Sequence, residues 1–389
     1  MSVYLDHAAT TPLRPEARAA WLAAQDVVGN AASVHAAGQA ARRLLEESRE
    51  AVASVLDCDP IEVVFTSGGT ESINLAVKGL WWSRDAECDA VVLPDGEHHA
   101  TMDAVDWLRA TQGARVRPVT LTPQGAVPVA AFAEALPGAA VATSLVANNE
   151  VGTVSDAQGL ASAARDAGVP LHLDAVGAAG VLDVRFAAWR GAGRSRSGLV
   201  ALSVSGHKVG GPVGTGALIV SRHASLSPLL HGGGQQRGLR SGTQDVAGAA
   251  AFAAALDATS AAREAETSRL TRLRDRLADG VLSAVPAVEL LGDRDSRLPG
   301  NLHLLFPGAA GETLLFLLDQ EGIAVSTGSA CQAGVTEPSH VVMALGRDER
   351  AARSVLRITL GRTSTDADAD ALIRAIPDAY RRALAAGGR

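Results

Sequence analysis

Four kinds of reagent stand in this sequence at positions where they can act together. Lys208 ends the run Ser205-Gly206-His207-Lys208, between an apolar strand-like segment and a glycine-rich stretch, and Lys78 is the only other lysine among 35 basic residues. Arginine serves wherever a permanent cation is enough. A desolvated lysine can lose its proton, and its amine can then form an imine with a carbonyl. Scarcity fits a Schiff-base lysine and equally fits nucleotide bias toward arginine codons, so the surroundings of Lys208 must decide.

Those surroundings are informative. Ser67-Gly68-Gly69-Thr70-Glu71-Ser72 follows the strand-like run at 61–66 and opens a helical pattern. Free N–H groups and the helix dipole make such a turn an anion cradle, although many such turns are only caps. It fits neither the Walker nor the dinucleotide glycine spacing. Asp174 ends the apolar run Val169-Pro170-Leu171-His172-Leu173-Asp174. There a carboxylate can pair with a protonated pyridine nitrogen, or simply cap the next turn. His98 and His99 follow Asp95-Gly96-Glu97 at a helix start. An imidazole there can stack on a planar ring and move protons, or be one surface and one packed histidine. No second ligand pair at zinc spacing accompanies them, and no metal site is expected. A phosphate cradle, a pyridinium partner, a stacking histidine and an imine-forming lysine, each after a strand, are together what pyridoxal 5′-phosphate requires.

The elements that must position these residues alternate. Strand patterns at 61–66, 90–93, 141–146, 171–173, 200–204 and 216–220 are interleaved with helical patterns from about 71, 98 and 156. This rhythm predicts an α/β fold with a large, mostly parallel sheet covered by helices. A charged amphipathic helix over 261–285 breaks the rhythm, and a smaller α+β domain follows it, with strands at 301–306, 323–326 and 355–360 and helices at 312–320 and from 366.

At 389 residues the chain suggests two domains. Hydrophobic content of 47%, charged content of 20% and a net charge of −7 describe a globular protein with no nucleic-acid-binding face. The N-terminus lacks a signal-peptide pattern, and alanine-rich stretches such as 247–255 are too short to span a bilayer, so a cytoplasmic protein without membrane contact is expected. Three cysteines, Cys58, Cys88 and Cys331, without a CxxC pair, argue against a disulfide framework. Cys331 lies in the small-residue run Ser326-Thr327-Gly328-Ser329-Ala330-Cys331-Gln332-Ala333-Gly334, where a thiol reads as a reagent rather than as a packed core group.

The sequence resembles the cysteine desulfurases of the class V aminotransferase superfamily. The matching runs begin with Tyr4-Leu5-Asp6-His7-Ala8-Ala9-Thr10-Thr11, Gly29-Asn30, the stretch at 65–72 and Glu97-His98-His99. They continue through Asn148-Asn149-Glu150-Val151-Gly152, His172-Leu173-Asp174-Ala175, Ser205-Gly206-His207-Lys208, His231-Gly232-Gly233-Gly234 and Arg240-Ser241-Gly242-Thr243, and end with the stretch at 326–331 and Leu356-Arg357. They span nearly the whole chain in family order. The resemblance implies a fold type I enzyme, with a large pyridoxal-phosphate-binding domain over 12–258 and a small domain of 1–11 and 259–389 bearing the cysteine loop. It implies that Lys208 holds the cofactor, that Gly69, Thr70, Ser205 and His207 contact its phosphate, and that Thr243 reaches the phosphate of a partner subunit in a homodimer. Asp174 is expected on the ring nitrogen, His98 on the ring face as stack and proton relay, Asn149 near the ring oxygen, and Arg357 with Asn30 on the carboxylate of L-cysteine. Lys208 would then remove the substrate α-proton, and Cys331 would take the sulfur as a persulfide, leaving L-alanine. The sulfur would pass to an acceptor protein serving iron–sulfur cluster assembly or tRNA thiolation.

One position departs from the family. Two residues after Ala175, where the pattern usually has a glutamine on the cofactor's ring oxygen, this chain has Gly177. Gly177 leaves room for a non-catalytic sulfur-assembly partner as an alternative reading. Selenocysteine lyase is the other, because the same residues suit selenium.

Overall fold

Strands buried on both faces are written as unbroken apolar runs, and such runs pair here into one large sheet. The computed structural model describes residues 2–191, 196–328, 331–332 and 335–387, with backbone alone at 331–332 and 335–336. After a two-residue strand near the N-terminus, β1 (Val3–Tyr4), come β2 (Val63–Thr66), β3 (Ala90–Pro94), β4 (Arg115–Val119) and β5 (Val141–Leu145). They are followed by β6 (Pro170–Asp174), β7 (Gly198–Ser205) and β8 (Gly216–Val220). β2 to β8 lie in the spatial order β2-β8-β7-β6-β5-β3-β4. Within this sheet β8 alone runs against the others, pairing antiparallel with both β7 and β2. All eight residues of β7 and all five of β5 are buried.

Helices Gly69–Trp82, His99–Gln112 and Ala157–Asp166 cross over between these strands, so the expected α/β architecture is the observed one. Because each crossover starts from a strand's C-terminal end, one edge of the sheet collects the turns at 67–69, 95–98, 146–149 and 205–208, with Asp174 among them. Ligands of open α/β sheets bind at that edge.

The strand Arg115–Val119 is absent from the sequence-based expectation. It is the sheet's outer strand, alternates Arg with Val, and contains Pro118, which edge strands tolerate. Helices Pro15–Gln25 and Ala36–Leu56 were likewise not anticipated. The long helix starts fifteen positions earlier than its charged segment predicts and runs from Val246 to Ala284, with the Asp245 carboxylate accepting from the Gly248 N–H at 2.8 Å. In its alanine-rich first third, Ala249, Ala251, Phe252, Ala255 and Leu256 are buried in the core around the large sheet. Its C-terminal part presents Leu270, Leu273, Leu277 and Val281 to a second core. That second core holds Leu302, Leu304, Ile358, Leu372 and Ile376. Around it lie β9 (Glu289–Leu291), β10 (Asn301–Leu305), β11 (Ile323–Ala324), β14 (Val355–Thr359) and the neighbouring helices, and a short hairpin pairs β12 (Cys331–Gln332) with β13 (Val335–Thr336). β9, β10 and β14 form an antiparallel sheet in the order β14-β10-β9, and β1 pairs with β11. Among the described residues no helix is long and apolar enough to cross a membrane. Lys78 sits on Gly69–Trp82 with its Nζ 4.6 Å from the Trp107 ring centroid, a cation–π contact at the helix surface.

The core sheet includes a titratable group. His172 on β6 is fully buried between Thr143 Oγ1 at 2.9 Å and Ser203 Oγ at 2.7 Å. Burial pushes its pKa down to about 3 from an ordinary value near 6.5. Between those limits the unfolded chain binds a proton that the folded chain excludes, so this histidine withdraws about 1.4 kcal/mol of stability per pH unit as pH falls below 6.5. Urea unfolding at pH 7 and pH 5 measures this slope. His172→Gln should reduce it by about one proton, and an unchanged slope would refute the assignment.

Candidate functional site

At the C-terminal edge of the large sheet lies a cavity of about 540 Å³, lined by Lys208, Asp174, His98, Asn149, Gly69, Thr70, Ser205, His207 and Arg357 among others. Nine of the residues singled out from the sequence thus meet in one place.

Lys208 is put there by a tight 3-10 turn, Gly206–Lys208, directly after β7. A Cβ at Gly206 would overlap Thr215 Oγ1, so the turn requires glycine. The Lys208 ammonium donates to the carbonyls of Ala8 and Ala9, the latter at 2.9 Å. Burial, and then the charge of Arg357, push its pKa down to about 8, with Asp6 and Asp174 pulling the other way. An amine at about 8 is neutral often enough near physiological pH to act as nucleophile or base.

Asp174 is 2% exposed, and its Oδ1 accepts from the Val176 N–H at 2.8 Å. Burial raises its pKa to about 6, so a protonated nitrogen beside it would find the ionised carboxylate it needs. His98 caps helix His99–Gln112, its Nδ1 accepting from the Ala100 N–H at 3.1 Å. That bond leaves the neutral ring's proton on Nε2. Burial and the Lys208 charge push its pKa down to about 4, so at neutral pH the ring is uncharged.

At the turn after β2, Gly68 has φ +144°, and a Cβ on Gly69 would stand 2.8 Å from Val176 Cγ2. Backbone without side chains therefore borders the cavity at the N-terminus of a fourteen-residue helix, where the first N–H groups have no acceptor within the helix. Ser205 Oγ is buried without a hydrogen-bond partner, as is Asn149 Oδ1. His207 is kept uncharged, its pKa lowered to about 4 by burial and by Lys208.

These features fit pyridoxal 5′-phosphate. The helix N-terminus, the orphaned Ser205 hydroxyl and His207 can hold a phosphate. Asp174, the orphaned Asn149 oxygen and His98 can hold a ring, and Lys208 can hold its carbonyl carbon. At Gly177 an added Cβ would meet nothing nearer than the Ala147 carbonyl at 3.8 Å, so this wall is open where a longer side chain would fill it.

Arg357 on β14 is 6% exposed, and donates to the Asn149 carbonyl at 3.1 Å and to Asp6 Oδ1 at 3.1 Å. Its Nε is buried without a partner. Beside it springs the segment bearing Cys331: Ser326 exchanges backbone hydrogen bonds with Arg357 at 3.1 and 2.6 Å. At the far end of that segment Ser339 Oγ donates to Glu150 Oε2 at 2.5 Å. The Cys331 backbone pairs with Thr336 in the β12–β13 hairpin, while its side chain and residues 329–330 and 333–334 lie outside the described residues.

Two expected residues are not brought to the cavity wall. Asn30 is exposed, its Oδ1 accepting from the Ala32 N–H at 2.9 Å, and Thr243 is exposed. Conversely, the sequence reading passed over His340, which stacks edge-on against His99 with ring centroids 4.9 Å apart and contacts the Glu97 carbonyl through Nε2 at 2.9 Å. It also passed over the Glu97 side chain, 2% exposed, accepting from the Leu145 N–H at 2.7 Å and pushed up to about 8 by burial and by Asp174. A carboxyl between Gly96, at φ +81°, and the capping His98 was the available signal.

The comparisons with known proteins bear on this geometry. The family model described as aminotransferase class-V matches residues 3–372. An IscS-like cysteine desulfurase of Mycobacterium tuberculosis is 48% identical over 396 aligned residues, covering 99% of each chain. A cysteine desulfurase of Gluconacetobacter diazotrophicus is 36% identical, covering 97% of this chain and 92% of its own. Among solved structures, a NifS-like protein superposes with a TM-score of 0.89 at 29% identity, covering 97% of this chain and 99% of that one. A NifS-like protein of Rickettsia africae gives 0.85 at 26% identity, with coverages of 98% and 100%. A match along the whole chain, together with a cavity suited to the cofactor on which that family depends, makes this protein a member of the class-V aminotransferase family and, within it, of the cysteine desulfurases.

Proposed function

We propose that this protein converts L-cysteine to L-alanine, receives the sulfur as a persulfide on Cys331 and hands it to an acceptor protein. The observation that carries this reading is that the lowered-pKa amine of Lys208, the carboxylate partner Asp174 and the base of the Cys331-bearing segment open on one cavity. Pyridoxal 5′-phosphate, when bound, supplies a carbonyl for amines and a ring that accepts the electrons released at the substrate α-carbon.

The chain's own residues do the rest. Arg357 presents a planar guanidinium whose Asp6 contact a substrate carboxylate can replace. Lys208 Nζ takes the α-proton. Asp174 is the carboxylate that would hold a protonated ring nitrogen of the bound cofactor. His98, neutral and pinned at Nδ1, stacks and exchanges a proton through Nε2 alone. The Cys331 thiolate attacks the substrate sulfur, so an S–S bond forms as the C–S bond breaks, and L-cysteine plus enzyme thiol become L-alanine plus enzyme persulfide. Asn149 serves the ring oxygen in place of the side chain absent at Gly177. Exposed Thr243 and Asn30 fit residues completed by a second copy, Thr243 on the partner subunit's phosphate and Asn30 closing over the substrate with Arg357. We assign the enzyme to the cytoplasm as a homodimer, with the large domain over 12–258 and the small one over 1–11 and 259–389, a division supported by the two separate apolar cores. Its acceptor is a scaffold for iron–sulfur clusters or a tRNA-thiolation protein.

The test is direct: incubate the holoenzyme with L-cysteine and a thiol reductant, and quantify sulfide and alanine. Equimolar products support the reading, and neither product overturns it. L-selenocysteine in parallel assigns the preferred chalcogen. Asp174→Asn should retain cofactor yet lose about a hundredfold or more in turnover, because a neutral amide cannot hold the ring proton. Wild-type turnover in that variant would remove Asp174 from the mechanism.

A further inference from the structure

The cavity extends beyond the lysine turn into a space bounded by Gly210, by Thr259 and Glu266 of the long helix, and by the turn that follows β14. Two arginines stand in its wall without a direct hydrogen-bond or ion-pair partner among the described residues. Arg14 is 8% exposed, yet its guanidinium makes no hydrogen bond or ion pair among the described residues. The same is true of exposed Arg362. The other charged groups in this space are matched. Arg263 pairs with Asp183 at 2.7 Å, Glu266 with Arg269 at 2.9 Å and Arg357 with Asp6 at 3.1 Å. His7 bonds Thr11 Oγ1 at 2.7 Å and is held uncharged, its pKa lowered to about 4 by burial and the Arg362 charge.

The local fold puts Arg14 there. Residues 11–14 run back along the lysine turn, the Thr11 N–H donating to the His207 carbonyl at 3.1 Å and the Arg14 N–H to the Gly210 carbonyl at 2.8 Å. A Cβ on Gly210 would come within 2.7 Å of Arg14 Cγ, so the arginine stem packs flat on a glycine. Burial, and then the Arg362 charge, press down the pKa of Arg14, while the charges of Glu16 and Glu266 act the other way. A buried guanidinium without a direct hydrogen-bonding partner is costly, and a like charge nearby adds to the cost.

We propose that Arg14 and Arg362 form a binding site for a small oxyanion, a carboxylate or a phosphate, behind the turn that carries Lys208. Guanidinium forks match the paired oxygens of both groups, and two forks can share one anion. The cavity is continuous, so the anion would lie alongside the residues proposed to bind substrate without using any of them. The proposal rests on charge and geometry and holds whichever amino acid the enzyme accepts.

Calorimetric titration of cofactor-loaded protein with inorganic phosphate and, separately, with acetate, at fixed ionic strength, tests it. We expect at least one probe to bind at one site per protomer, and Arg14→Gln and Arg362→Gln each to weaken that site about tenfold or more. A response to phosphate alone assigns a phosphate ligand, and to acetate a carboxylate. Acetate bound at Arg357 would be unaffected by either substitution. Unchanged visible absorbance of the bound cofactor separates loss of the site from unfolding, and exposed Arg362 remains a usable variant if Arg14→Gln does not fold. Absence of a substitution-sensitive site for either probe overturns the proposal. So does a weakened dimer with unaltered probe binding, which would mean that the guanidinium meets a partner subunit's carboxylate.

Discussion

Lys208→Ala should abolish alanine formation from L-cysteine, lowering turnover by about 10⁴-fold, the scale expected when a single group serves both as covalent anchor and as base. No other side chain can step in. Lys78, the only other lysine, is held over Trp107 on the helix surface and does not line the cavity. Arg357, the nearby guanidinium, has no primary amine with which to form an imine. The variant should still fold, because the lysine head contacts only two loop carbonyls. It should lose the visible band of lysine-bound cofactor, and added methylamine should restore part of the rate through the open cavity. Stopped-time alanine assays measure the rate, and retention of more than about one hundredth of wild-type turnover would sink the assignment of Lys208.

Cys331→Ser should separate cofactor chemistry from sulfur transfer. The protein should remain coloured and respond spectrally to L-cysteine, while sulfide release falls by about 10²- to 10⁴-fold, because a serine hydroxyl is not ionised at neutral pH and is a poor nucleophile toward sulfur. Neither remaining cysteine can replace it. Cys58 is pushed up to about 12 by burial and by Glu62, Asp59 and Asp57, and neither it nor Cys88 lines the cavity. Mass spectrometry after exposure to L-cysteine, without reductant, should find one added sulfur on wild-type Cys331 and none in the variant. Persulfide elsewhere in the variant, with undiminished turnover, would assign the sulfur to another thiol.

Much of this site was legible before the structure because its residues follow strands. Asp174, Lys208 and the turn at Gly68-Gly69 each end an apolar run, and in an open α/β sheet such ends share one edge. Cys331 stood out in the sequence for a different reason, a thiol among small residues with no core to join, and its side chain lies outside the described residues. Elements governed by contact with distant chain were harder to read. The edge strand Arg115–Val119 offers only Val116 and Val119 among two arginines and a proline, and the stretch at 246–260 belongs to a helix whose chief neighbours are the distant helices Pro15–Gln25 and Ala36–Leu56.

The amino-acid sequence by itself determined which reagents the protein has and the order in which strands deliver them: one lysine and one carboxylate each at the end of a strand, and one cysteine in a small-residue loop. Tertiary structure alone decided their ionisation and their company. Two lysines of identical chemistry part ways: Lys78 is a surface cation at Trp107, and Lys208 is an amine near pKa 8 in the cavity. Desolvation and neighbouring charge depend on burial rather than on residue type. For the same reason Arg14 and Arg362, separated by most of the chain and unremarkable as a pair in sequence, become two guanidiniums in one cavity with no direct ion-pair partner among the described residues.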